Sequence, residues 1–218
     1  MRRIATIILT LIALLSAAFL AGQTSATEDP SHWEWDSIPR VVAVGDIHGS
    51  PDNLILILQS TGLLDGNLAW SGGTSHLVLN GDLIDRGPSD RDVLDLARRL
   101  QSEAEAAGGR VHLVLGNHEG MNLYGNLRYV SEESFAGFID LEWQSDRSKA
   151  WMSYKEGYSR DQVLLLRRAF DEEHPPGYFG RLRALAPDGE YGSWGGGQPA
   201  ARKINRVGVV QRGQNAQK

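Results

Sequence analysis

Apolar and β-branched residues gather in three short runs, at 40–44, 76–80 and 110–115, and each run ends at a glycine followed by a polar side chain. Short apolar runs stopped by turn residues predict strands. The glycines Gly45, Gly81 and Gly116 stand 36 and 35 residues apart, which leaves room for a helix in each interval. Residues 51–59 fill the first, with Ser50 placed to cap the helix and Pro51 in its opening turn. Residues 89–107 fill the second and stop at Gly108-Gly109. The alternation is β-α-β-α-β, which predicts an α/β fold with a largely parallel sheet and right-handed crossovers.

After Glu119 the pattern changes. Segments 131–143 and 159–173 read as helices, the second with Val163, Leu164, Leu166 and Phe170 at helical spacings, and 177–186 reads as a shorter one. Residues 195–218 open on three glycines and carry Arg202, Lys203, Arg206, Arg212 and Lys218 without an acid. They are expected to form a divergent, disordered basic tail in which only Ile204 and 207–210 resemble strand. At the other end, Arg2 and Arg3 precede an apolar run over 4–20 and the small residues Thr24-Ser25-Ala26. This is the pattern of a secretory signal over 1–26, and it predicts a periplasmic or secreted protein with no stable membrane span after cleavage. The alternative is an uncleaved N-terminal anchor. Residues 27–39 read as a polar lead-in.

Composition narrows the chemistry. The chain has 218 residues, enough for one domain or slightly more. It has no cysteine, which excludes a disulfide framework, a Cys-ligated zinc or iron–sulfur site and a thiol nucleophile. A formal charge of −5 gives no basic field over the sequence, so nucleic acid is not an expected partner. In open α/β sheets, ligands bind beyond the carboxyl ends of the strands. Three polar tips occupy those ends: Gly45-Asp46-Ile47-His48-Gly49, Gly81-Asp82-Leu83-Ile84-Asp85-Arg86-Gly87 and Gly116-Asn117-His118-Glu119. Each alone reads as a turn, a surface histidine or an ion pair. Three in succession, all supplying oxygen or imidazole donors, point to one shared site suited to manganese, iron or zinc. His76 and His112 lie within strands and are expected to pack or line an edge, and His174 before two prolines is expected in a loop.

The motifs GDIHG, GDLIDRG and GNHE resemble the first three motifs of the calcineurin-like metallophosphoesterases. The DRG form is similar to the branch that holds the PPP-type protein phosphatases, and residues 121–130 are most similar to its Shewanella-like members. The resemblance implies a metallophosphoesterase-type sheet sandwich over 40–194, only the N-terminal part of a full αββα domain. It implies two metal ions (Mn, Fe or Zn), with Asp46 and His48 on the first, Asp82 bridging and Asn117 on the second. A metal-bound hydroxide would attack phosphorus, His118 would act as general acid oriented by Asp85, and Arg86 would bind phosphate together with Asn117 and His118. The implied substrate is a phosphate monoester on a protein or small molecule. The family pattern also asks for two more metal-binding histidines and a second arginine downstream, and Gln211-Arg212-Gly213 stands where His-Gly-Gly is expected. The chain therefore reads as truncated or frameshifted at its C-terminus, with an incomplete second metal site. The alternatives are a weakly active or non-catalytic remnant and a nucleotide or dinucleotide phosphate hydrolase.

Overall fold

The computed structural model of the protein describes residues 34–196 and 201–210. The expected signal segment and residues 197–200 and 211–218 of the expected tail lie outside the described residues. Strands β1 (Glu34–Trp35), β2 (Val41–Val44), β3 (His76–Leu79) and β4 (Arg110–Leu113) alternate with helices α1 (Pro51–Ser60) and α2 (Asp90–Ala106). Strands β2, β3 and β4 pair in parallel in that order, with Val44 opposite Leu79 and Leu79 opposite Leu113. This common register brings the three polar tips to one edge, as the alternation predicts. All four residues of β3 are buried, as befits the central strand, whereas Val41 on edge strand β2 is exposed.

The side-chain period of two gives each face of this sheet its own core. Val44, Leu77, Leu79, Val111 and Leu113 pack with Leu54 and Leu58 of α1 and with Val93, Leu94, Ala97, Leu100 and Ala104 of α2. The helical residues recur at steps of three and four, so one stripe of each helix is buried. Asp90 and Asp92 in the first turn of α2 suit its dipole.

Further helices follow: α3 (Asn117–Leu123), α4 (Glu132–Ala136), α5 (Gln144–Tyr154), α6 (Arg160–Glu173), α7 (Tyr178–Leu185) and α8 (Glu190–Gly196). The expected helix over 131–143 is instead α4 and a separate 3-10 turn at Ile139–Leu141. Helix α5 was not legible because none of its residues is buried, so it has no apolar stripe. Helix α8 is held on α2 by Tyr191 Oη donating to Asp95 and Trp194 Nε1 donating to Gln101. Among the described residues, no helix is long and apolar enough to cross a membrane.

The other face of the sheet carries the largest departure from expectation. Residues 201–210 are not a disordered tail. They form a hairpin, β5 (Ala201–Ile204) with antiparallel β6 (Val207–Val210), and β1 joins β5 in parallel, so part of the polar lead-in is strand. Ile204 packs on Val78 and Val114, with Trp35, Ile38 and Val209 around them. The basic residues hid a period of two: Arg202 and Ile204 point inward, and the Arg202 guanidinium lies 5.2 Å from the Trp35 ring. Asn205 turns the hairpin at φ +55° and pins it, accepting from Ile38 N and donating to Ile38 O.

His76 and His112 are packing residues, as expected. They share a hydrogen bond of 2.9 Å between Nδ1 of His76 and Nε2 of His112, beneath Trp35. Burial, with His76, Arg202 and Arg110 nearby, pushes His112 down to about 2. Its folded value is thus depressed below the unfolded 6.5, so the stabilisation from keeping it neutral is complete above pH 6.5 and is lost as pH falls below that value. The limiting slope is about 1.4 kcal/mol per pH unit. Urea unfolding from pH 7 to pH 5 should show a steep acid limb that flattens in His112→Gln. An equal slope in both proteins would contradict this assignment.

Candidate active site

The tips beyond β2, β3 and β4 are held in uncommon backbone conformations. Asp46, His48, Asp82, Asp85 and Arg86 all have φ between +46° and +69°. Non-glycine residues in this region cost about 1–3 kcal/mol each and persist where surrounding structure imposes them. The imposing contacts are visible. His48 N donates to Asp82 O and Gly49 N to Leu83 O, which ties the first tip to the second. A Cβ on Gly87 would come within 2.1 Å of His48 O, and one on Gly116 within 2.3 Å of Asp82 N, so only glycine allows the tips to touch.

Glu119 fastens the second tip to the third from below. It is buried, and its carboxylate accepts from Asp82 N, Leu83 N and Gly116 N at 2.8–2.9 Å. Burial pushes its carboxyl up, and these three donors pull it back only in part. In the sequence Glu119 closes the third tip with no role evident from the motif alone. The available signal was its place three residues after Gly116 at a helix start, the spacing of a capping box. Glu119→Gln keeps one acceptor and puts an amide N–H among three donors. It should lower stability by about 1–3 kcal/mol, read as a shift in the urea midpoint, and an unshifted midpoint would contradict the fastening role.

A ring nitrogen of His48, a ring nitrogen of His118 and a carboxylate oxygen of Asp82 lie within 4.8 Å of one another. His48 Nδ1 faces Ile84 O at 3.1 Å and its Nε2 faces Arg86 Nη1 at 3.0 Å. Arginine can only donate, so Nε2 presents its lone pair to a cation and Nδ1 carries the proton. Asn117 Oδ1 is buried without a hydrogen-bond partner, and such an orphaned carbonyl suits a metal ligand. These donors fit the manganese, iron or zinc chemistry read from the sequence. Asp46 is exposed at the end of β2 and is not part of the three-residue group.

The predicted pairing of His118 with Asp85 is present. Both are buried, and Nδ1 of His118 donates to Asp85 Oδ2 at 2.8 Å, which leaves Nε2 as the ring nitrogen not engaged by Asp85. The other oxygen of Asp85 accepts from Asn122 Nδ2 and from Arg181 Nη2. Arg181, which sequence reading missed, comes from α7 and is fully buried between Asp85 and Asp90, with Asn122 and Ser134 as further partners. Arg86 is exposed, and its backbone N donates to Tyr129 O.

Residues 39–210 match the calcineurin-like phosphoesterase family. The chain belongs to this family. Shewanella-like protein phosphatase 2 of Arabidopsis thaliana is 34% identical over 130 residues, covering 59% of this chain and 33% of that protein. Shewanella-like protein phosphatase 1 of Plasmodium berghei is 34% identical over 128 residues, covering 59% of this chain and 34% of that protein. The chain thus spans about a third of the length of these curated relatives. Among solved structures, the cold-active protein-tyrosine phosphatase of a psychrophilic Shewanella is similar over 81% of this chain and 43% of that one. The identity there is 29% and the TM-score 0.57. The family match runs through the β5–β6 hairpin and past the expected limit at residue 194, in keeping with the packing of Ile204.

Proposed function

We propose that the protein is a metal-dependent phosphomonoesterase of the protein-phosphatase type. The observation that carries this reading is the His118–Asp85 pair opening onto the same few ångströms as His48 and Asp82. Its similarity to two protein phosphatases and a protein-tyrosine phosphatase supports a phosphorylated protein or small phosphomonoester as substrate. Asp46, His48, Asp82 and Asn117 would hold the metal ions. When bound, these ions supply Lewis-acid polarisation of phosphoryl oxygens and lower the pKa of water.

The chain's own residues divide the remaining work. Arg86 offers a planar fork to two phosphate oxygens and must leave His48 Nε2 to do so. Asp85 holds the Nδ1 proton of His118 and orients the ring, and when the ring is the imidazolium its second proton, on Nε2, passes to the leaving oxygen and leaves the neutral ring still bound to Asp85. Glu119 keeps the tips in contact while this happens. The leader-like N-terminus supports an exported protein. p-Nitrophenyl phosphate hydrolysis by the full chain with manganese, and its loss in EDTA, tests the reading. Turnover unchanged by EDTA would contradict it.

A further inference from the structure

We propose that Tyr129 reads the leaving group, forming the wall against which the departing alcohol lies and favouring planar aromatic leaving groups over aliphatic ones. The inference rests on the phosphomonoesterase reading and deepens it. His118 is only 1% exposed, although its Nε2 is the atom a substrate must reach. Two rings lie against it: His48, with centroids 4.9 Å apart, and Tyr129, with centroids 5.3 Å apart and planes tilted by 56°. His48 belongs to the metal-ligating side and is held there by Ile84 O and Arg86. Tyr129 is 46% exposed, whereas His48 is half-buried, so of the two rings against His118 it is Tyr129 that opens more widely to solvent.

The wall is also fixed relative to the phosphate-binding group. Tyr129 O accepts from Arg86 N at 2.8 Å, and two residues on, Ser131 Oγ donates to Gly87 O at 2.9 Å. The segment is thereby stapled twice to the Arg86 loop. A phosphoryl group on Arg86 with its leaving oxygen at His118 places the rest of the ester beside the Tyr129 ring. An aromatic leaving group gains an offset or edge contact with that ring, and a short aliphatic one does not.

The test uses the full chain with manganese and compares wild type, Tyr129→Phe and Tyr129→Leu. Their kcat/KM values are measured for p-nitrophenyl phosphate and for β-glycerophosphate, and comparing ratios between variants cancels the intrinsic difference between the substrates. Tyr129→Phe should keep the wild-type ratio, and Tyr129→Leu should reduce it about fivefold. In parallel, calorimetry with phenylphosphonate and ethylphosphonate, which cannot be hydrolysed, should show Tyr129→Leu weakening only the phenyl compound. Equal losses on both substrates, or on both phosphonates, would overturn the proposal and leave the phosphomonoesterase reading standing. If the wild type turns over neither substrate, that reading falls, and the phosphonate pair still decides whether Tyr129 is an aromatic wall.

Discussion

Replacing Arg181 by methionine lowers stability by about 3–5 kcal/mol, the range seen when one member of a buried ion group is removed. The guanidinium, Asp85 and Asp90 are all fully buried, with contacts of 2.9 Å and 2.7 Å. Methionine fills the space but leaves two carboxylates in a dry interior and strips donors from Asn122 Oδ1 and Ser134 Oγ. Burial already holds the Asp90 carboxyl above its ordinary range, and Arg181 is the leading influence against that shift. In the variant the raised value rises further. A carboxyl with a raised folded value adds stability at low pH and loses it as pH climbs through that value, so the variant's deficit should grow from pH 5 to pH 8. Urea midpoints at the two pH values measure both effects. A deficit below about 1 kcal/mol, the scale of an ordinary exposed pair, would show Arg181 to be a bystander.

His118→Asn should lower turnover by about 10²- to 10⁴-fold, the usual contribution of a positioned acid. The size of the loss should depend on the leaving group. p-Nitrophenolate departs with little need of a proton, whereas the alkoxide of β-glycerophosphate needs one. A general acid at position 118 therefore predicts a much larger loss on the aliphatic ester. Equal losses on both esters would assign His118 to holding metal, a role its place beside His48 and Asp82 also permits.

The sequence made the tips legible because they obey local rules. A strand ends, a glycine turns the chain, and a polar residue follows. Three such events in parallel register must meet at one edge, and Asp82, His118 and His48 do meet there. The His118–Asp85 pairing was legible from the family resemblance and is present at 2.8 Å. Arg181 was not legible, because an arginine in an amphipathic helix reads as a solvated charge. Its burial depends on Asp85 and Asp90, about 90 residues earlier in the chain, and no local pattern reports such a distance. The β5–β6 hairpin was missed for a related reason. Arg202 lies inward on Trp35, so a segment rich in basic residues has one buried face despite its polar composition. The break of 131–143 falls at Gly137, between α4 and the 3-10 turn, where Arg91 Nη1 donates to the Gly137 carbonyl.

The central claim is that the three tips together form a metal-dependent phosphoester site, and one titration tests it most directly. The metal-stripped full chain is titrated with manganese while bound metal and p-nitrophenyl phosphate turnover are followed in the same samples. Turnover should rise in step with occupancy, and Asp82→Ala should abolish both. Turnover at zero metal, or manganese binding and turnover both unaffected by Asp82→Ala, would contradict the account.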